Sequence, residues 1–471
     1  MDYDQLIPET DILRQECPRA RILVIGKSGA GKSALINRVF GISDQAITNI
    51  SHRSHGVHDI EKELTWKSNK HVVIHDSEGF EHGDDGKRKT VEQFVENRLQ
   101  MVKLAERLHA IWVCLEIPWS NSRLLDRGIE QFLESISGRA PVVVVFTKLD
   151  LLEEKVESEL DDAESSLDDD AFERRAKEEV DSALEELCYI PFKRKINHDY
   201  PFIAVSNQKR HADRIGELVK LTLEKCDVES AWVAVAISQR AEAVLNIKAS
   251  TRIGRKRYWR GLFSDVFMGL SVQKLITVLR KDIVTVWNLN DSAELLLSDR
   301  FLERLTVLVE DLSSTSQPGE PYHLTYQAVN SLVKTPAAFP VAAPVLAVVF
   351  LAEWVLSSYK KTKESLRCLM GFIIDLTLVM DALFYLTRDR TAVSIRHINQ
   401  AIAFFKSRKA RVHDEIRTWV GQLSSALSHL NPDNAVTKIG DIIEKHCINP
   451  EEGCPIEASD DEWVSLESLR Q

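Results

Sequence analysis

The first half of the chain alternates short apolar runs with longer stretches in which apolar residues recur every three or four positions. Short runs bounded by turn residues are typical of buried strands, and the longer period is typical of amphipathic helices. The predicted strands are 21–25, 63–66, 71–75, 110–115, 141–146 and 201–205, and the predicted helices among them are 33–40, 87–108 and 122–136. Strands that alternate with helices predict an α/β fold, with a mostly parallel sheet wrapped by helices and ligands at the carboxyl ends of the strands.

From about residue 228 onward the strand signals fade and only helical spacing remains. The predicted helices are 231–249, 272–287, 293–312, 365–386, 393–405 and 411–428. An all-α C-terminal domain is therefore expected to follow the α/β domain. The predicted organisation is a lead-in at 1–19, the α/β domain at 20–227 with an acidic helical insert at 151–190, the helical domain at 228–448 and an acidic tail at 449–471.

Residues 337–356 are nearly all apolar, and their length approaches that of a membrane span. Pro340 and Pro344 interrupt this stretch, and Glu353 adds a charge near its end. Two interpretations stay open, a helix buried in the helical domain or a membrane-inserting hairpin that continues to residue 386. The second would add membrane association, through residues 337–386, to an otherwise cytoplasmic protein.

Composition narrows the class of protein. The chain has 471 residues, of which 44% are hydrophobic and 28% charged, as in globular proteins of more than one domain. Seven cysteines, an odd number without a Cys-x-x-Cys pair, argue against a disulfide framework or a zinc site and indicate a reducing, cytoplasmic compartment. The net charge is −11, and residues 151–190 hold 16 acidic residues against 4 basic ones. An acidic chain is poorly suited to nucleic acid, so no nucleic-acid partner is expected.

Residues 26–33 read Gly-Lys-Ser-Gly-Ala-Gly-Lys-Ser, which fits the phosphate-binding P-loop pattern. The segment follows a predicted strand and precedes a predicted helix, and this context favours a P-loop over a chance glycine-rich turn. Backbone N–H groups and a helix N-terminus then converge on one spot that suits a polyphosphate. Lys32 is expected to bring a positive charge to the phosphates as a catalytic residue, and the Ser33 hydroxyl to bind Mg²⁺. The predicted nucleotide-binding residues here are Gly26, Lys27, Ser28, Gly29, Ala30, Gly31, Lys32, Ser33 and Ala34.

Asp76 directly follows the predicted strand 71–75 and begins the sequence Asp-Ser-Glu-Gly. In P-loop hydrolases a strand-end Asp holds Mg²⁺, and a Gly three residues later offers its N–H to the γ-phosphate. A turn-forming role for Asp76 is the alternative. Its position 43 residues after Ser33 favours the metal site. We therefore predict Asp76 as a metal ligand and Gly79 as a catalytic residue.

Thr147-Lys148-Leu149-Asp150 follows the predicted strand 141–146. The Asp150 carboxylate can accept hydrogen bonds from guanine N1–H and the 2-amino group, which adenine lacks, and the Lys148 stem can lie over the base. The segment resembles the Asn/Thr-Lys-x-Asp motif of the P-loop GTPases, in particular the Era/septin class. Thr147 stands where many relatives have Asn, and Thr at this position also occurs in dynamin-like and immunity-related GTPases. The resemblance covers about residues 20–227 and implies GTP and GDP as ligands, Mg²⁺ as cofactor and GTP hydrolysis as the activity.

The resemblance also implies two further sites and one departure. Ser206 and Asn207 stand where the family has its last guanine-contact loop, usually Ser-Ala, so Asn207 differs from the pattern. Relatives carry a Thr in the first switch that reaches Mg²⁺, and the spacing points to Ser51 or Ser54 in this chain. Phe80 occupies the place where Ras-like enzymes have a Gln that orients the attacking water. We expect slow GTP hydrolysis that self-association or a protein partner accelerates.

Three functions follow from these features. The first is a GTP-dependent conformational switch coupled to a helical effector domain. The second is a membrane-associated GTPase similar to dynamin-like or immunity-related proteins. The third is a nucleotide-binding scaffold that has lost hydrolysis.

Overall fold

The structure is a computed structural model, and it describes nine stretches of the chain. These are residues 7–42, 59–78, 85–118, 123–163, 168–254, 270–313, 362–387, 391–423 and 432–449. The predictions that lie outside the described residues are those for Ser51, Ser54, Gly79 and Phe80, for residues 337–361 and for the tail beyond residue 449.

Contacts among the described residues divide the chain into two compact units. One lies within Leu13–Leu245, and the other combines Met1–Ile12 with Asn246–Gln471. The first contains a single sheet with helices, and the second is helical in its described residues. The predicted α/β fold with an all-helical C-terminal region is therefore confirmed.

Six strands form the sheet of the first unit. Their bounds are β1 Ala20–Gly26, β2 Leu64–Trp66, β3 Asn69–Glu78, β4 Ala110–Glu116, β5 Val142–Thr147 and β6 Phe202–Ala204. The strand order across the sheet is β2-β3-β1-β4-β5-β6. All neighbours are parallel except the edge strand β2, which pairs antiparallel with β3. Parallel pairing places the carboxyl ends of β1, β3, β4, β5 and β6 along one edge of the sheet.

Sixteen helices belong to the described residues. They are α1 Glu9–Glu16, α2 Lys32–Phe40, α3 Asp85–Leu99, α4 Arg127–Ser135, α5 Leu149–Ala163, α6 Asp169–Leu184, α7 Ile190–Lys195, α8 Ala212–Glu224, α9 Glu229–Ser238, α10 Ala243–Gly254, α11 Val272–Trp287, α12 Asp299–Leu308, α13 Glu310–Ser313, α14 Lys363–Leu386, α15 Ile395–Gln422 and α16 Pro432–His446. Single turns of tighter or wider helix occur at Leu104–Glu106, Glu185–Tyr189, Lys209–His211 and Leu295–Leu297.

The central strands are buried on both faces because helices cover both sides of the sheet. Every residue of β1 and β5 is buried, and six of the seven residues of β4 are buried. Such strands appear in the sequence as continuous apolar runs rather than as alternating ones. The core of this unit therefore forms where the sequence shows its strongest β-branched segments.

The structure breaks the predicted helix 231–249 into α9 and α10. The side chain of Gln239 explains the break, because its Oε1 accepts hydrogen bonds from the backbone N–H groups of Ala241 (2.8 Å) and Glu242 (2.9 Å). Helix α9 packs against β1 and β3 within the first unit. The division of the chain after Leu245 thus lies beyond residue 227, where the strand signals end in the sequence.

The predicted helices 393–405 and 411–428 are instead one continuous helix, α15. A capping box starts it, in which Ser394 accepts from the His397 backbone and the His397 side chain accepts from the Ser394 backbone. Residues 406–410 stay helical because most of them have good helix propensity and a charged surface does not end a helix.

Helix α14 is the centre of the helical unit and packs against α11, α12, α13, α15 and α16. Among the described helices it alone is long and apolar enough to cross a membrane, judged by length and composition. However, 89% of its most apolar stretch of 18 residues is buried in the protein. Two acidic residues on α14, Asp375 and Asp381, are buried and hydrogen-bonded, the first to His413 and the second to the Ile448 N–H. For residues 362–386 these contacts match a core helix of a bundle. Residues 337–361 lie outside the described residues, and for them both interpretations, a buried helix and a membrane-inserting hairpin, stay open.

Candidate functional site

The P-loop connects the carboxyl end of β1 to the N-terminus of α2, as predicted. Gly31 lies at the N-cap of α2 with φ +80°, a left-handed conformation that favours glycine. A Cβ on Gly26 would lie 2.6 Å from the carbonyl oxygen of Cys114, on the neighbouring strand β4. Glycine is therefore required for two different reasons, at Gly31 by the backbone conformation and at Gly26 by the close approach of strand β4.

The side chain of Lys32 lies across the P-loop. Its ammonium donates to the carbonyl oxygens of Gly26 (2.7 Å) and Lys27 (3.1 Å). Burial raises the pKa of the Cys114 thiol to about 12. The charge of the Lys32 ammonium lowers this pKa, and the charge of Asp76 raises it. Lys32 and Asp76 therefore both lie within electrostatic reach of the same thiol at the end of β4.

Asp76 lies near the carboxyl end of β3, next to the strand that leads into the P-loop. The parallel register pairs Val24 with Asp76 and Gly26 with Glu78. Asp76 is half-buried, and Ser33 is exposed at the first turn of α2. A hydroxyl and a carboxylate oxygen are the donors that Mg²⁺ prefers, so these residues fit that ion.

Thr147 brings the end of β5 against the P-loop. Its Oγ1 lies 2.9 Å from the Ala30 carbonyl oxygen and 3.3 Å from that of Leu115, and it donates its single hydrogen to this pair of acceptors. The Thr147 Cβ would lie 3.6 Å from a Cβ on Gly31. The segment 147–150 is thus in direct contact with the loop at 26–33.

Lys148 and Asp150 follow at the same edge of the sheet. Lys148 has φ +65°, an uncommon conformation for a residue other than glycine. Its ammonium pairs with the Glu116 carboxylate at 2.8 Å. Asp150 lies in the first turn of α5, where the helix dipole favours a negative charge.

The last predicted segment, Ser206-Asn207, lies beside Thr147-Lys148. The N–H of Leu149 donates to the Val205 carbonyl (3.2 Å), which holds the two loops together. Ser206 is buried, and its hydroxyl accepts from the Gln208 N–H at 3.1 Å. Asn207 is exposed.

Two charged residues at this edge were not predicted from the sequence. Glu116 ends β4 and pairs with Lys148, and Asp126 precedes α4 and pairs with Lys27 at 2.8 Å. Glu116 could have been found by the rule that strand ends in a parallel sheet share one edge. Asp126 could have been recognised only as a helix N-cap residue, without its partner.

The comparisons with known proteins agree with this geometry. Residues 21–148 match a family model described as 50S ribosome-binding GTPase, a family of P-loop GTPases. This region is a P-loop GTPase domain. The family match supports GTP binding. Residues 295–457 match a second family model, described as Domain of unknown function (DUF8505). No curated protein matches the chain.

The matched part of the GTPase domain begins at Arg21 in β1 and ends at Lys148, so it includes the P-loop, Asp76 and the first half of the Thr-Lys-x-Asp segment. Asp150, Ser206 and Asn207 lie beyond it. The fold nevertheless places all of these segments at the carboxyl edge of one sheet. The individual roles of these residues stay predictions.

Proposed function

We propose that the chain binds GTP together with Mg²⁺ and hydrolyses it to GDP and phosphate. The observation that carries this proposal is the contact between Thr147 and Ala30, which joins the predicted base-reading segment to the predicted phosphate-binding loop. A site for a purine nucleoside triphosphate needs both halves at a fixed separation. The GTPase family match of residues 21–148 supports the same function.

On the phosphate side, the Lys32 ammonium would exchange its carbonyl partners for the β- and γ-phosphates. Ser33 and Asp76 would hold Mg²⁺, which neutralises charge on the phosphates during transfer. The N–H groups of the P-loop and the N-terminus of α2 would add further donors. Gly79, as predicted from the sequence, would offer its N–H to the γ-phosphate.

On the base side, the Asp150 carboxylate would accept from guanine N1–H and the 2-amino group. Adenine lacks this donor pair, and a buried acceptor left without a donor is costly, so the site would reject ATP. The Lys148 stem would lie over the base, and Ser206 and Asn207 would close the far side of the pocket.

Hydrolysis would be slow in the isolated protein. The place of the water-orienting Gln of Ras-like enzymes holds Phe80, whose side chain has no polar atom. Self-association or a protein partner would then supply the missing group.

Phosphate release from GTP tests hydrolysis directly. We expect the wild type to hydrolyse GTP with a rate per molecule that rises with protein concentration. Lys32→Ala should lose this turnover. Lys103→Ala is the matched control, because Lys103 is an exposed lysine of the same domain that belongs to none of the predicted sites. Equal turnover in the wild type and Lys32→Ala would contradict the proposal, and bound GTP without any turnover would favour a nucleotide-binding scaffold.

We also propose that the nucleotide state is passed to the helical region. Support comes from a junction at the end of α2, where the Asn69 amide donates to the carbonyl oxygens of Phe40 (2.9 Å) and Ser238 (2.7 Å). The Arg240 N–H donates to the Val39 carbonyl at 2.7 Å. The chain continues from this junction into α10 and the helical region, so a shift of α2 would act on the segment that leaves the domain.

Hydrogen exchange tests this coupling. Backbone exchange in residues 270–449 is expected to differ between the GDP complex and a complex with a non-hydrolysable GTP analogue. Asn69→Ala should reduce the difference, and the exposed Asn97→Ala should not. Identical exchange in both nucleotide states of the wild type would show that the helical region does not respond.

A further inference from the structure

We propose that Glu116 is a positioning residue for guanine recognition, which holds the Lys148 side chain in the direction needed to cover the base. The proposal rests on the GTP-binding function argued above. It concerns a residue that lies at the end of β4, outside the P-loop and outside the Thr-Lys-x-Asp segment.

The backbone of Lys148 is held in place by its neighbours. The Thr147 carbonyl accepts from the Ile117 N–H (3.2 Å), and the Leu149 N–H donates to the Val205 carbonyl (3.2 Å). The Lys148 carbonyl accepts from the Leu151 N–H at 3.1 Å. These three bonds keep Lys148 at φ +65°, and this conformation costs energy in any residue with a Cβ. The structure therefore maintains a strained residue at the proposed base site.

A fixed backbone does not fix a lysine side chain, because its four-carbon stem has many rotamers. Fixing such a stem costs rotamer entropy. Glu116 restricts it, since the Glu116 Oε1 lies 2.8 Å from the Lys148 ammonium. Register pairs Glu116 directly with Thr147 across β4 and β5, so the carboxylate is fixed relative to the turn that carries the lysine.

The ion pair between Glu116 and Lys148 is too exposed to contribute much to the stability of the fold. The Glu116 and Lys148 side chains are 38% and 31% exposed, and pairs this exposed add little to folding stability. Two charges at a sheet edge that carries the ligand site can instead act on the ligand. With its ammonium held by Glu116, the apolar stem of Lys148 is ready to pack on a base before the nucleotide arrives, and binding loses less entropy.

A double-mutant cycle measured by calorimetry tests the proposal. Glu116→Gln keeps the shape and removes the charge, and Lys148→Met keeps the stem and removes the ammonium. GDP probes the whole site, and tripolyphosphate probes the phosphate side alone. Glu96→Gln is the matched control, because Glu96 also pairs with a cation at 2.8 Å, with a 40% exposed side chain, on helix α3.

We expect Glu116→Gln to weaken GDP binding by about three- to fivefold, the range that an exposed ion pair of up to about 1 kcal/mol allows. Tripolyphosphate affinity should not change. In the Lys148→Met background Glu116→Gln should have no further effect on GDP, and Glu96→Gln should have none in either background.

Two results would overturn the positioning role. One is an equal effect of Glu116→Gln with and without the Lys148 ammonium. The other is an equal loss of GDP and tripolyphosphate affinity, which would show a general structural effect. A wild type that binds tripolyphosphate but no GDP would instead overturn the proposed function, and the role of Glu116 with it.

Discussion

The hydroxyl of Thr147 lies 2.9 Å from the carbonyl oxygen of Ala30, although the two residues are 117 positions apart in the chain. Thr147 ends β5, Ala30 lies inside the P-loop, and both are buried. One side chain thus sets the distance between the loop proposed to hold the phosphates and the loop proposed to read the base. Such an arrangement, formed before the ligand binds, reduces the entropy cost of binding.

Removal of this hydroxyl should weaken GTP binding. Thr147→Val keeps the shape of the side chain, but it leaves the Ala30 carbonyl without this donor, at a cost of about 1–3 kcal/mol. We therefore expect an affinity loss of about tenfold or more, measured by calorimetry with GTP. Thr147→Ser retains the hydroxyl and should bind GTP nearly as well as the wild type. If Thr147→Val binds GTP as tightly as the wild type, the contact does not position the two loops.

Gly26 should tolerate no side chain. In Gly26→Ala the new Cβ would lie 2.6 Å from the Cys114 carbonyl oxygen, so β1 and β4 would have to separate. Overpacking of this kind costs about 1–3 kcal/mol, and we expect a loss of that size in the urea unfolding of the first unit. Gly86→Ala is the control, because a Cβ there meets nothing within 4 Å and alanine favours the helix α3. Equal stability of the two variants would contradict the strand contact.

The sequence allowed the strands and the P-loop to be predicted because their signals are local. A fully buried parallel strand needs an apolar run, and the turn from β1 into α2 needs its glycines at fixed spacing. The order of these segments along the chain then places Lys32, Asp76 and Asp150 at one edge by topology alone. The sheet order and the family match at residues 21–148 bear out the fold, and the roles of these three residues stay predictions.

Tertiary pairs could not be predicted in the same way. The bond of Thr147 to Ala30 and the ion pair of Glu116 with Lys148 depend on which strands become neighbours. Between α9 and α10 the break after Ser238 comes from a side chain, Gln239, that bonds to neighbouring backbone N–H groups rather than from any Gly or Pro. Sequence rules for helix breaks detect Gly and Pro, but not a side chain that bonds to the backbone.

His413 forms a buried charged network in the helical unit. Its Nδ1 lies 3.0 Å from Asp311 and its Nε2 lies 3.1 Å from Asp375, so both ring nitrogens face carboxylates. Asp311 also pairs with Lys409 (2.9 Å) and with Arg417. This arrangement joins α13, α14 and α15 through one imidazolium, since only the protonated ring donates from both nitrogens.

Stability of the helical unit should fall as the pH rises past neutrality. Burial lowers the pKa of His413, but Asp375 and Asp311 outweigh it and raise the pKa from 6.5 to about 9. A raised histidine pKa gives stability that is complete below the unfolded pKa of 6.5 and is lost as the pH rises through 9. At roughly 1.4 kcal/mol per pKa unit, the loss amounts to a few kcal/mol. Burial raises the pKa of Asp375 although His413 lowers it, and the lowered pKa of Asp311 acts only at acid pH.

Denaturant unfolding at about pH 6 and about pH 9 measures this dependence. The wild type should be less stable at the higher pH. His413→Gln should be less stable than the wild type at the lower pH and should lose less stability than the wild type between the two pH values. The exposed His198→Gln serves as the control. A His413→Gln variant with the wild-type pH profile would show that the network is not charged as argued.

The most direct test of the account is nucleotide affinity, measured by calorimetry with GTP, GDP, ATP and xanthosine triphosphate for the wild type and for Asp150→Asn. The wild type should bind GTP and GDP and reject ATP by more than about a hundredfold, because only guanine offers the donor pair that Asp150 accepts. Asp150→Asn should lose GTP and gain xanthosine triphosphate, since the amide can donate to the 2-oxo group of xanthine. A wild type that binds ATP as well as GTP, or a variant with unchanged base preference, would contradict the proposal that these segments form a guanine nucleotide site.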